Sequence, residues 1–133
     1  MKAVKANMVR ALPHGTWLDT CDNSGAKIIK IITVMRHKTV KGRSPTAAVG
    51  DLIMASVKKG KPEMRKQVVY AVVVRQKKEW RRPDGTRIQF EDNAAVVCKD
   101  VDGNPKGTII KGAIPKEVVE RWPALSKLAS IIV

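Results

Sequence analysis

The chemistry legible in this sequence lies in three clusters of lysine and arginine, each at a turn of the chain. Lys58, Lys59, Lys61, Arg65 and Lys66 surround Gly60-Lys61-Pro62, between two strongly apolar runs. Lys77, Lys78, Arg81 and Arg82 flank Trp80, and Lys38, Lys41 and Arg43 stand beside Gly42 and Pro45. Lys27 ends a further turn, Asp22-Asn23-Ser24-Gly25-Ala26-Lys27, and joins the candidates. Arginine offers a planar fork of donors and lysine a point charge; set against phosphates, both release counterions from a polyanion. One charged run is ordinarily a solvated surface. Three of them, in loops of one small protein, point to nucleic-acid binding.

Trp80, inside Lys-Lys-Glu-Trp-Arg-Arg, has two readings. It could stack on an unpaired base, or lean on the stems of its basic neighbours as a packing residue. Generic single-strand binders set several aromatics on one face, and this chain has only Trp17, Tyr70, Trp80, Phe90 and Trp122, widely scattered. Recognition by backbone and shape is therefore expected. The Asp22–Lys27 turn lacks the Gly-x-x-x-x-Gly-Lys pattern of a phosphate loop and leads into a β-branched run, so it reads as a structural turn. His14 and His37 have no nucleophile or carboxylate arranged around them, and no pair of acids is spaced for acid–base work. No enzyme, cofactor or small-molecule substrate is expected.

Composition agrees. The chain has 133 residues, 26 Lys and Arg against 12 Asp and Glu, a net charge of +14 and a pI near 10.2. A hydrophobic fraction of 44% indicates a folded body rather than a basic tail, and the length fits one domain over residues 1–133. So much positive charge on so small a body concerns partners rather than fold. The apolar runs, such as Val68 to Val74, fall well short of the roughly 20 residues of a membrane span. The N-terminal Met-Lys-Ala-Val-Lys-Ala-Asn-Met-Val-Arg has no signal-peptide core. Cys21 and Cys98 lack Cys-x-x-Cys or histidine company, and read as reduced cysteines on strands of a cytosolic protein.

The elements that must position the clusters are mostly strands. Val4 to Arg10, Thr16 to Cys21, Lys27 to Met35, Leu52 to Val57, Gln67 to Arg75, Ile88 to Phe90 and Ala94 to Cys98 are β-rich runs separated by Gly, Pro, Asn and Asp turns. Their regular spacing predicts a small closed barrel over residues 1–113. Helix is predicted only over residues 114–133. Pro115 opens it, with Glu117 and Glu120 near its start; Pro123 breaks it, and Ala124 to Ser130 forms a second short piece. Neither piece is stable alone, so the segment must pack on the barrel.

Charge divides along the chain. Basic residues outnumber acidic ones by nine to two over residues 1–44 and by eleven to four over 45–90, but stand at six to six over 91–133. The neutral third holds more apolar side chains than a small barrel can cover, so a remnant should face another protein, with Lys116, Val119, Trp122 and Lys127 as its candidate contacts. A cap closing one barrel end is the plainer reading.

One combination of motifs is specific. Ala71-Val72-Val73-Val74, Asp84-Gly85, Phe90, Asn93 and Val96-Val97 resemble, at their spacing, the signature of the universal ribosomal protein fourteen family of the large subunit. Asp22–Lys27, Val49-Gly50-Asp51, Val57-Lys58-Lys59-Gly60 and Arg81–Thr86 are similar to the same family. The stretches at 61–67, 90–94 and 120–123 look like its archaeal and eukaryotic branch. Ala113 departs from the proline common there. The resemblance implies a mostly β fold: a five-stranded β-barrel, a projecting β-ribbon and a short C-terminal helical region. It implies a structural constituent of the large ribosomal subunit, in the cytoplasmic ribosome. As partners it implies large-subunit rRNA, small-subunit rRNA at an intersubunit bridge, neighbouring ribosomal proteins and a ribosome anti-association factor near the C-terminus. The alternative is a free-standing RNA-binding barrel of the cold-shock type, acting as chaperone or regulator.

Overall fold

A computed structural model describes residues 1–133. Its centre is a closed barrel of five strands: β2 (Trp17–Thr20), β3 (Ala26–Val34), β5 (Leu52–Gly60), β6 (Val68–Arg75) and β9 (Ala94–Cys98). Short pairs lie outside it. β1 (Leu12–Pro13) pairs with β4 (Thr46–Ala47), and β7 (Trp80–Arg81) with β8 (Arg87–Ile88) as a small antiparallel ribbon. β10 (Ile110–Ile114) is followed by α1 (Lys116–Arg121), α2 (Pro123–Ser126) and β11 (Ala129–Ile132).

The strand runs behave as their side chains dictate. In β3 the alternation buries Ile29, Ile31 and Val34 and leaves Lys27 and Ile32 outside. β6 and β9 instead read as continuous apolar runs, because both their faces are covered: Ala71 to Val74 and Ala94 to Cys98 are all buried. Antiparallel ladders join β2 to β3, β3 to β5, β5 to β6 and β6 to β9. The barrel closes by a parallel pairing of β2 with β9, Asp19 opposite Ala94 and Thr20 opposite Ala95.

The sequence misleads in two places. Val4 to Arg10 forms no strand; only Asn7 makes an isolated bridge, to Arg81. This arm finds no free barrel edge, and is held instead by the buried Gln76, whose Nε2 donates to the Val9 carbonyl at 3.1 Å. Residues 127–130 are not helical either, because the chain leaves α2 to lay β11 parallel to β10, a non-local pairing that local pattern does not announce. Ala113 follows Gly112, which sits at φ 80°, and lies where the β10–β11 register shifts. Val118, Trp122 and Leu125 enter the same apolar core as the barrel, and the Trp122 indole donates to the Gly50 carbonyl at 2.8 Å.

Candidate nucleic-acid interface

The β5–β6 connection presents the first cluster. Its backbone is pinned: Lys61 N donates to the Gly25 carbonyl at 2.9 Å, and Lys66 N to the Val57 carbonyl at 3.0 Å. Met64 plugs into the core between them, and Lys66 holds a left-handed φ of 64°. Such fixing leaves Lys58, Lys59, Lys61, Arg65 and Lys66 all pointing to solvent. The Asp22–Lys27 turn is locked against this loop, since any Cβ on Gly60 would stand 2.5 Å from the Gly25 carbonyl oxygen. Lys27 and Lys61 consequently line one concavity, joined by Lys111, which sequence reasoning missed.

Asp22 anchors that turn from within. Ser24 Oγ and Val97 N donate to its two oxygens at 2.9 and 3.0 Å, yet desolvation prevails and pushes its carboxyl above the ordinary value. The turn is structural, as expected.

The second cluster lies in the loop from Arg36 to Pro45, whose far end is tied down by the β1–β4 pair. Arg36 and Lys41 take left-handed φ values of 60° and 61°, beside Gly42 at 70°. Lys38, Lys41 and Arg43 are exposed.

The third cluster requires two corrections. Trp80 is fully buried, stacked on Phe90 with ring centroids 6.0 Å apart, so it has no face left for a base. Its role is packing. Arg82 is also withdrawn: its Nε and Nη2 donate to Glu117 Oε1 and Oε2 at 2.7 and 3.1 Å, and its side chain is only 10% exposed. Burial of Glu117, two residues after Gly112-Ala113-Ile114-Pro115, gave no signal in the sequence. Lys77, Lys78 and Arg81 remain exposed. The exposed aromatic that the sequence reading passed over is Trp17, 53% accessible on the outer face of β2 and directly opposite Lys30 of β3.

The electrostatics separate two populations of cation. Every ion pair uses Arg10, Arg75, Arg82, Arg87 or Arg121. None involves Lys27, the exposed lysines of the three loops, Arg43, Arg65 or Arg81. Those side chains donate no hydrogen bond inside the chain. Their charge is entirely available to an outside anion.

Of the candidate protein contacts, Lys116 and Lys127 are exposed and Val119 partly so. Trp122, at 3% exposure, belongs to the core and is not a contact. The apolar atoms that do reach the surface there are those of Ile109, Ile131, Ile132 and Val133.

Comparison with known proteins decides among the barrels that could carry such loops. The family model described as "Ribosomal protein L14p/L23e" matches residues 11–133. The chain belongs to this family. It is 58% identical to the "Large ribosomal subunit protein uL14" of Nanoarchaeum equitans over 133 residues, the whole of both chains. It is 52% identical to the protein of that name from Methanococcus maripaludis over 132 residues, 99% of each chain, and 50% identical to that of Methanothrix thermoacetophila over the full length of both. These archaeal relatives agree with the branch that the 61–67 and 90–94 stretches resemble.

Proposed function

We propose that the chain is a structural constituent of the large subunit of the cytoplasmic ribosome and binds its rRNA through the exposed cations of the three loops. One observation carries the reading. The fold pins the β5–β6 loop by backbone hydrogen bonds and the buried Met64, and it leaves the exposed lysines and arginines of all three loops without any internal acid. Affinity then comes from phosphate neutralisation, and shape from the barrel. Trp17 supplies the stacking aromatic in place of Trp80. The same cations, on a face reaching beyond the subunit, would meet small-subunit rRNA at an intersubunit bridge. The neutral C-terminal end, with Lys116, Val119, Lys127 and the exposed Ile131 and Ile132, would face neighbouring ribosomal proteins and an anti-association factor.

The test is the salt dependence of binding to large-subunit rRNA fragments. About four to six phosphate contacts give a log–log slope near −3 to −5. Lys58→Gln with Lys59→Gln should make that slope shallower by about 2, while a flat dependence would refute the phosphate-led reading. Co-sedimentation with large subunits through a salt wash excludes a free-standing chaperone. Charge reversal at Lys116 and Lys127 should impair subunit joining or factor docking and leave rRNA affinity within about twofold, since rim charges act on specificity.

A further inference from the structure

A second cationic feature lies away from the β5–β6 loop. Arg10 of the N-terminal arm, Arg36 and Lys38 from the turn after β3, and Arg121 at the end of α1 converge on a single open cleft, with His37 at its wall. The one acid there is Asp51, which is 7% exposed. Both of its oxygens are occupied: Oδ1 accepts from Arg121 Nη1 at 3.1 Å, and Oδ2 from Arg10 Nη1 at 3.0 Å and Ala48 N at 2.9 Å. Four permanent cations therefore face one satisfied carboxylate.

The donors outnumber the acceptors by a wide margin. Arg10 uses only Nη1 inside the chain, on Asp51, His37 Nδ1 and the Thr46 carbonyl, and its Nε and Nη2 are free. Arg121 likewise uses only Nη1; its Nε is buried with no acceptor at all. Arg36 is held at φ 60° and touches nothing polar beyond the Met1 sulfur. A buried donor without an acceptor is unusual in a folded chain, and here it sits on a guanidinium already fixed by Asp51. Asp51 orients two forks of donors, which is the arrangement a tetrahedral oxyanion needs.

We infer that this cleft binds one phosphate group, held by Arg10, Arg36, Lys38 and Arg121 and organised by Asp51. The inference depends on the rRNA reading only for the source of the phosphate, a backbone phosphodiester or a free phosphate anion.

Inorganic phosphate is the probe, titrated into the full chain at constant ionic strength and followed by amide and guanidinium NMR shifts. Saturable shifts at Arg36, His37, Lys38 and Arg121 are expected. Arg36→Gln with Lys38→Gln, which leaves the Asp51 network intact, should weaken phosphate binding about tenfold. Lys58→Gln with Lys59→Gln should leave it unchanged. Shifts that never saturate, or that survive the cleft substitutions, overturn the inference. The source is then read with an rRNA hairpin. Because Lys38 also belongs to the rRNA-facing loop, this arm uses Arg36→Gln alone. Loss of hairpin affinity assigns a backbone phosphate, and unchanged affinity with weakened phosphate binding assigns a free anion. Failure of the rRNA reading itself would show elsewhere, as hairpin affinity indifferent to the loop lysines.

Discussion

Arg82 and Glu117 form a two-pronged ion pair, 2.7 and 3.1 Å between donors and acceptors, that ties the β7–β8 ribbon to the first turn of α1. The Arg82 Nη2 also donates to the Val133 carbonyl at 2.8 Å, so one guanidinium gathers the ribbon, the helix and the last residue. Although Arg82 sits in a basic run, it is a structural residue.

Removing either partner strands the other charge in the interior. Arg82→Ala should cost about 3–5 kcal/mol of unfolding free energy, measured by urea denaturation. Its neighbour Arg81 is exposed and unpaired, so Arg81→Ala should stay within about 0.5 kcal/mol and weaken rRNA binding instead. Equal stability of the two variants would contradict the assignment.

Trp17 is the accessible indole, with Trp80 and Trp122 buried. Bound rRNA should therefore quench the accessible part of the tryptophan emission, and Trp17→Phe should abolish most of that change. Trp17→Ala should lower affinity for unpaired RNA by about 1–3 kcal/mol if a base stacks there. Quenching that persists in Trp17→Phe would place the contact elsewhere.

Gly60 has φ 152° and backbone on its vacant side, with the Gly25 oxygen at 2.5 Å and the Ala26 Cα at 2.9 Å from a built Cβ. Gly60→Ala has no flexible neighbour to displace. A loss of about 1–3 kcal/mol is expected, as for other overpacked sites, together with weaker rRNA binding as Lys27 and Lys61 separate. Thermal denaturation and anisotropy titration of the same variant measure the two effects.

Burial pushes the thiols of Cys21 and Cys98 from the ordinary 9.0 up to about 12. The folded chain keeps these protons at pH values where the unfolded chain releases them. Their contribution is thus fully present below pH 9 and is lost as pH rises from 9 toward about 12, by about 1.4 kcal/mol per pH unit for each thiol. Urea midpoints at a series of alkaline pH values should fall steeply for the native chain and less so for Cys21→Ala with Cys98→Ala. Both thiols should also resist iodoacetamide at neutral pH until the chain unfolds.

The barrel was legible because its signals are local. Alternation in Lys27 to Met35 and the unbroken apolar runs of β6 and β9 name strands without reference to any partner, and Gly-containing turns mark their ends. The loop cations were legible for the same reason. What escaped depends on distant partners. Nothing near Trp80 says that Phe90 covers it, nothing near Arg82 says that Glu117 will be buried beside it, and β11 exists only because β10 offers an edge. Trp17 and Lys111 were overlooked because each is a lone residue in an ordinary strand, and only the register beside Lys30 or the concavity beside Lys61 gives it company.

The parallel pairing of Asp19 and Thr20 with Ala94 and Ala95 has a consequence in time. A contact between such distant strands makes closure entropically costly and slow, as in other non-local β topologies. All the unpaired loop cations, from Lys27 to Arg81, lie between the two strands, and a chain made from its N-terminus displays every one of them before the closing strand exists. In that interval the β5–β6 hairpin holds its own lysines through bonds that do not involve β9, while the closed barrel that fixes the loops relative to one another is still missing. The loops take their final spacing when β9 docks on β2 and closes the barrel.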